Sequence, residues 1–390
     1  MHSFALVAHL HYFCIMKLRE LLLLSLLLCL PLGAQQTFRA RVVDAETGEA
    51  MPFARVNTSE NRATLSNRDG YFTIVGTEED VLTVSFVGYE KKSVKAGSLP
   101  ATIRLKPLTM EMGEIVVRPL PVKEILSRIR KKLHEERFRN MQKMSLYFFR
   151  SLIKRTDGTN EMLEGFYSAF SHINIKGLNV ISGQTHIEGN DSTRPLLNTN
   201  FHKLFSLGPV IYDESLWEQA LQPLGKSKAV RGAFDADITS MHDEDGRHIY
   251  KIKFLFNGKS PKQWDGKTLI QGTLYVDAKT YGLLHFDGQL LGMEQKFNGE
   301  LMAMDLTFHV DYTHERGFTE VAHISFDGGN HVISYHCLLF MVDKMRMPTE
   351  RSITRNLVVG ILNTGYDASL WEKYDIVRRT EEEERIAAVN

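Results

Sequence analysis

The stretch "NRDGYFTIVGTEEDVLTVSFVGYEKKSVKA", residues 67–96, decides the fold of the first part of the chain. Asp69-Gly70 supplies the positive backbone dihedral of a tight turn, and "YFTIV" after it alternates apolar and polar side chains. A second turn at "GTEED" leads into "VLTVSF", and Gly88-Tyr89 precedes a further charged strand. Outward from this run the same rhythm continues. "TFRARVVD" (37–44) is followed by the turn "AETGEAMP" and then "FARVNTS" (53–59); "RATLS" (62–66) comes before, and "ATIRLKPL" (101–108) after. Seven or so short strands in about 70 residues predict an all-β sandwich. Phe72, Ile74, Leu82, Val84 and Phe86 are its predicted core residues.

The motifs within 37–117 carry a resemblance. Val43-Asp44, Thr47-Gly48-Glu49 with Pro52, Asp69-Gly70-Tyr71-Phe72 and Ser85-Phe86-Val87-Gly88-Tyr89 resemble the carboxypeptidase regulatory-like domain, a transthyretin-like sandwich of the Gram-negative bacterial envelope. Ala40 stands where that family often has Gly. The resemblance implies a structural or docking module without catalysis, so Asp44, Asp69 and Tyr89 read as turn and corner residues. "MEMGEIVVRPLP" (110–121) is similar to the segment by which this sandwich runs on in TonB-linked receptors. The 270 or so residues that follow are too few for a receptor's plug and barrel.

The first residues have another logic. "MKLRELLLLSLLLCLPLGAQQ" from Met16 has a basic start, an apolar run from Leu21 to Leu30 and small residues before Gln35. This is the pattern of a secretory signal peptide, and the apolar run is too short to span a membrane as a helix. Residues 1–34 are therefore expected to be removed after Ala34, with Met16 the expected start. Cys29 lacks the small preceding residue of a lipidation site. Such cleavage would leave Cys337, inside the apolar run "SYHCLLFMV", as the one cysteine, expected to be a buried inert thiol without a disulfide partner. Lys plus Arg and Asp plus Glu number 47 each, which leaves no electrostatic footprint for nucleic acid.

"VKEILSRIRKKLHEERFRN" (122–140) is the strong helical pattern, with Val122, Ile125, Leu126, Ile129 and Leu133 on one stripe. Arg128, Arg130, Lys131 and Lys132 lie opposite, as a solvated face or a contact for anionic lipid. From Lys143 the period returns to two. Four hairpins are predicted: one turning at Asp157-Gly158, one at "DEDG" (243–246), one within "GTLYVDAKTYGLLHFDGQL" (272–290) and one at "THERG" (313–317). The segment 190–225 reads as loop with a short helix at "DESLWEQAL" (213–221). The tail "DIVRRTEEEERIAAVN" reads as frayed or helical, and Trp371 and Tyr374 as packed back.

The domains expected are thus a signal peptide at 1–34, the sandwich at 37–108, a linker and amphipathic helix at 109–141, an antiparallel β-rich domain at 142–376 and a charged tail at 377–390. The fold class is mainly β, with a seven-stranded sandwich, a connector helix and a hairpin-rich curved sheet. "LYFFRSLIKRTDGTNEMLEGFYSAF" (146–170) resembles hairpin-rich segments that follow the sandwich in envelope proteins. "GTLYVDAKTYGLLHFDG" (272–288) is similar to the half-barrel of periplasmic lipoprotein carriers, a likeness from which function does not follow.

Fifteen histidines invite a search for metal ligands. His-x-x-Glu and His-Glu-x-x-His do not occur; His314-Glu315 runs into a turn. His309, His323 and His331 fall on predicted strands, and His309 and His323 could face each other across the "THERG" turn. Acid clusters are expected at hydrated hairpin tips, and "HDEDGRH" (242–248) lacks the alternating oxygen ligands of a calcium loop. Phosphate loops and nucleophile elbows are missing. The sequence therefore predicts no catalytic, cofactor or metal residues. Of the aromatic residues, Phe148, Phe149, Phe166, Tyr167, Phe170, Trp217, Trp264 and Tyr275 are expected mostly in the core, with a minority lining a groove between sheet and helix. Trp264, Trp217 and Phe170 are the candidate contact surface, Trp264 within "GKSPKQWDGKT" (258–268). The expected function is non-catalytic binding or assembly in the periplasm or at the outer membrane, with an envelope protein or lipophilic ligand as partner. A lipophilic-ligand carrier and a hydrolase with dispersed site residues are the alternatives.

Overall fold

The computed structural model describes residues 35–59, 62–108, 122–137, 144–171, 175–189, 234–243, 245–258, 269–297, 300–345, 357–374 and 376–389. Seven strands build the first unit: β1 (Gln36–Asp44), β2 (Arg55–Asn57), β3 (Ala63–Leu65), β4 (Tyr71–Gly76), β5 (Val81–Ser85), β6 (Lys92–Lys95) and β7 (Thr102–Leu105). They form two sheets, β4-β1-β7 and β3-β2-β5-β6. Alternation drives the packing: in β4 and β5, Phe72, Ile74, Leu82 and Val84 point inward and are fully buried. Phe86 lies at the rim, partly buried against the same core. Gly70 is required at its turn, because its φ is +83° and a Cβ there would lie 2.5 Å from the Val42 carbonyl oxygen. Asp44 ties the first turn, accepting from the backbone N–H groups of Glu46 and Thr47 at 2.7 and 2.9 Å, while the Tyr89 hydroxyl donates to its other oxygen at 2.7 Å.

Ten strands follow the helix α1 (Val122–Arg137). They are β8 (Met144–Arg155), β9 (Asn160–Ser171), β10 (Ile175–Glu188), β11 (Phe234–His242), β12 (His248–Phe256), β13 (Leu269–Asp277), β14 (Leu283–Phe297), β15 (Glu300–Thr313), β16 (Glu320–Gly329) and β17 (Ile333–Met345). All pair antiparallel in one curved sheet, ordered β10-β9-β8-β17-β16-β15-β14-β13-β12-β11. The four predicted hairpins are β8/β9, β11/β12, β13/β14 and β15/β16, each in register across its expected turn. The last strand, β17, returns to pair with the first, β8, from Ile333↔Arg155 to Met345↔Met144. The two edges, β10 and β11, are not paired with each other, so among the described residues the sheet curls without closing into a barrel.

One face of this sheet is apolar across its whole width. Val180, Tyr167, Phe149, Leu339, Ile324, Val310, Phe286, Leu274 and Ile252 belong to a single buried core that also holds Ile125, Ile129 and Leu133 of α1. The sheet therefore buries the apolar stripe of the helix, whose 3.6-residue period and the strands' period of two each set one apolar face. Gly288 makes room for the Phe308 ring on this face. A Cβ there would lie 2.4 Å from the Phe308 ring, which covers the glycine from the adjacent strand.

The opposite face is covered too. The sandwich sits over β14–β17, and the C-terminal segment lies over β17, β8, β9 and β10. That segment contains α2 (Leu357–Thr364), whose Ile361 reaches round to the inner core, and α3 (Ala368–Lys373) and α4 (Glu381–Ala387), which lie on this outer face. Trp371 packs edge-on to Phe148 and Phe166, with ring centroids 5.8 and 5.3 Å away. The acidic tail is helical: Thr380 and Glu383 form a capping box, and four Glu residues in the first turn of α4 face the positive end of its dipole. No helix among the described residues is long and apolar enough to cross a membrane.

Candidate functional site

The first candidate surface is the apolar inner face with α1 laid into it. Ile125, Ile129 and Leu133 are fully buried there. The polar side of α1 holds to strand ends at one rim: Arg128 donates to the Tyr281 hydroxyl at 2.7 Å, and buried Glu136 accepts from the Thr319 N–H at 2.9 Å. Of the predicted aromatic groove residues, Phe149 and Tyr167 share the core with the helix. Phe148 and Phe166 lie on the opposite face beneath Trp371. Tyr275 is on that face as well, 5.6 Å from the His285 ring. Phe170 is half-buried near the end of β9, its ring against Gly177. Trp217 and Trp264 lie outside the described residues, as do the predicted helix at 213–221 and the signal peptide.

The second candidate is a plate of histidines and aspartates under the sandwich. Strand pairing builds it. His285 pairs with Asp311, and Asp287 with His309. Asp311 pairs with His323, and Thr307 with Asp327; Asp327 in turn pairs with His336. Side chains at i and i+2 share a face, so "HFD" (285–287), "HVD" (309–311) and "HISFD" (323–327) on three adjacent strands present a checkerboard of imidazole and carboxylate. His309 and His323 share this face but are not directly opposite each other. His309 pairs with Ser325, and Asp311 joins the two rows. The expectation that acid clusters fall at hairpin tips is thereby corrected, because Asp287, Asp311 and Asp327 lie within strands, where a single-strand motif search does not see them.

The contacts are close. Asp311 meets Nδ1 of His285 at 2.6 Å and Nδ1 of His323 at 3.3 Å. Asp287 touches Nδ1 of His309 with one oxygen, and its other oxygen lies 2.7 Å from Nε2 of His285. That 2.7 Å approach is an ion pair and not an aligned hydrogen bond, so the buried Nε2 of His285 has a charge partner but no well-directed acceptor. Burial pushes the His285 imidazole toward its neutral form, but the charges of Asp287 and Asp311 outweigh it and raise its pKa to about 10. Both carboxyl groups are held well below the usual carboxylate range by the same histidine, against the opposing effect of burial. For His323, burial wins and lowers the imidazole despite Asp311.

The sandwich closes over this plate with aromatic rings. Phe53 stands 4.8 Å from the His323 ring and 5.9 Å from that of His309, and Phe86 is 6.0 Å from His285. Phe53 reaches them from a left-handed backbone, φ +63°, a conformation that costs a non-glycine residue about 1–3 kcal/mol. Arg68 adds an ion pair with Asp327 at 3.0 Å. As ligands, His285, Asp287 and His309 offer atoms that all lie within 4.8 Å of one another.

A third cluster, of purely structural geometry, lies under the C-terminal segment. Arg150 and Glu164, both fully buried, pair at 2.8 Å. Arg379 and Gln184 also donate to the Glu164 carboxylate, and Arg150 reaches Glu383 at 3.5 Å. Cys337 is buried within β17, and burial pushes its thiol far above the ordinary range.

No curated protein matches the chain. Among solved structures, a LolA superfamily protein of Nitrosomonas europaea is similar at 10% identity, covering 58% of this chain and 94% of that one, with a TM-score of 0.26. A DUF1329 family protein of Desulfovibrio piger is similar at 11% identity, covering 57% and 93%, with a TM-score of 0.20. Likeness at this level fixes neither fold nor function. For the sandwich the finding is firm, and it agrees with the motifs at Asp44, Thr47-Gly48, Asp69-Gly70 and Gly88-Tyr89: residues 39–117 are a CarboxypepD_reg-like domain.

Proposed function

We propose that the protein is a non-catalytic binding protein of the bacterial envelope whose curved sheet takes up an apolar ligand or partner segment on its inner face. The observation that carries this reading is the inner face itself. It is apolar across the sheet, unclosed between β10 and β11 among the described residues, and filled by the amphipathic stripe Ile125, Ile129 and Leu133 of α1, with Ile361 of α2 joining the same core beside β10. Joined to the sheet by side-chain contacts and not by backbone pairing, α1 is the element that an apolar occupant can replace. The sandwich lies on the outer face and leaves this exchange unobstructed. Its family membership and the export pattern from Met16 to Ala34 support the envelope as the place of action.

The test is binding of a fluorescent undecanoate by the purified chain. Saturable one-to-one binding with a blue-shifted emission is expected. Leu133→Ala weakens the docking of α1 by about 2–5 kcal/mol, the usual loss for emptying a buried leucine site. If occupant and helix compete, the variant binds the probe more tightly, by up to the factor by which α1 docking had disfavoured it. No saturable binding by either protein would refute the reading. Peptide, ester and glycoside panels should show no turnover.

A further inference from the structure

The geometry points to a divalent transition-metal site formed by His285, Asp287 and His309, with zinc the cation best suited to its ligands. Two imidazoles and one carboxylate are a donor set that borderline ions such as Zn²⁺ accept, and hard ions such as Ca²⁺ and Mg²⁺ do not prefer. The set is built by three positions on two paired strands, where the ladder fixes side-chain direction, and not by a surface loop. The proposal concerns the outer face and is independent of what the inner face binds.

Three observations converge on this point. First, Nδ1 of His285 is engaged by Asp311 at 2.6 Å, the arrangement that orients a ligating imidazole and leaves Nε2 as the metal-facing atom. Second, that Nε2 has no hydrogen bond although its residue is 2% exposed. A buried nitrogen without a hydrogen bond is costly, and a cation that displaces its proton to solvent and takes up the Nε2 lone pair would satisfy it. Third, the contact that it does make, 2.7 Å from an Asp287 oxygen and off the N–H axis, brings both donors to one point, somewhat closer than two co-ligands on one ion stand. Metal–ligand bonds of about 2.0–2.2 Å place neighbouring donors of a tetrahedral ion about 3.3–3.6 Å apart, so an entering ion has to part this contact by less than about 1 Å. Nδ1 of His309 closes the third position against the other Asp287 oxygen.

The surroundings fit this role. His285 is buried, whereas Asp287 and His309 are each about one-third exposed, 35% and 33%, so the remaining coordination positions open toward solvent for water. Asp311 also holds His323 at 3.3 Å, which continues the orienting chain away from the ion. Phe53 and Phe86 of the sandwich lie over the imidazoles. A bound ion would therefore lie beneath the seam between the CarboxypepD_reg-like domain and the sheet, held by the sheet alone.

Zinc alone is the probe, titrated calorimetrically into the untagged full chain freed of metal by chelation. One equivalent should bind. Asp287→Asn and His309→Gln should weaken binding more than Asp311→Asn, which keeps all three ligands and an acceptor for His285 and should lose roughly 10–100-fold. His336→Gln, a strand histidine of the same face outside the triad, should bind like the parent. With Co²⁺ in place of zinc, the visible absorption should change in His309→Gln and not in His336→Gln. Absence of stoichiometric binding would overturn the site. So would undiminished binding by Asp287→Asn and His309→Gln, or a loss in His336→Gln as large as theirs. Thermal melts without metal show whether each variant is folded, and a folded Asp311→Asn with parental affinity also counts against the proposal.

Discussion

Replacing Glu164 by Ala should cost the protein about 3–5 kcal/mol, the usual effect of removing one partner from a buried ion pair. The magnitude follows from what is left behind. Arg150 is 1% exposed and holds Glu164 at 2.8 Å; its next carboxylate, Glu383, is 3.5 Å away. Without Glu164 the guanidinium keeps that longer contact and the face of Phe148, 5.2 Å from the ring centroid. Gln184 loses its acceptor as well, and Arg379 is left with Glu384 at 3.4 Å. Urea denaturation followed by tryptophan fluorescence is the assay, since Trp371 packs on Phe148 and Phe166 beside the pair. Replacing both partners, Arg150→Met with Glu164→Met, should recover most of the loss, because the charge no longer has to be buried. The pH dependence has a definite sign. Burial pushes the Glu164 carboxyl up, but Arg150, His186 and Arg379 together hold it well below its ordinary value of 4.5. A depressed carboxyl contributes stability that is fully present above pH 4.5 and is lost as pH falls toward the folded-state value. Glu164→Gln should therefore flatten the acid limb of the stability curve below pH 4.5. A Glu164→Ala variant within about 1 kcal/mol of the parent, or a Glu164→Gln variant whose acid limb parallels it, would refute the reasoning.

Phe72→Ala should destabilise the sandwich by about 3–5 kcal/mol, since the ring is fully buried between its sheets; denaturation of the full chain, followed by amide exchange over residues 39–108, measures it. Gly288→Ala should cost about 1–3 kcal/mol by driving a methyl group into the Phe308 ring, and Phe308→Leu in the same chain should return part of that loss in a double-mutant cycle.

The sandwich and the hairpins were legible because their information is local. A turn such as Asp69-Gly70 or Asp157-Gly158 is specified by residues that touch one another, and period-two alternation is visible within one strand. What covers each face is not local. Met144–Ile153 is buried at every position, and a strand buried on both faces reads as a near-continuous apolar run. The run "MSLYFF" shows that something lies on either side. That α1 fills one side and Trp371 the other is set by contacts between residues far apart in the chain. The pairing of Arg150 with Glu383 spans 233 positions and leaves no trace in either neighbourhood.

The histidine–aspartate plate lies between these cases. Its half-sites were visible as three His-x-Asp or His-x₃-Asp repeats, each of which puts both groups on one face of a strand. Taken one strand at a time, each is an unremarkable polar face. Only the register turns them into a site: a one-residue slip between β14 and β15 would send the imidazoles and carboxylates of one strand to the apolar side. Apolar alternation on the other face forbids that slip, since Phe286, Val310 and Ile324 must remain in the core with α1. The inner face thus holds the outer one in register. A substitution that loosens the packing of Val310 would be felt at His309 and Asp311 without touching either.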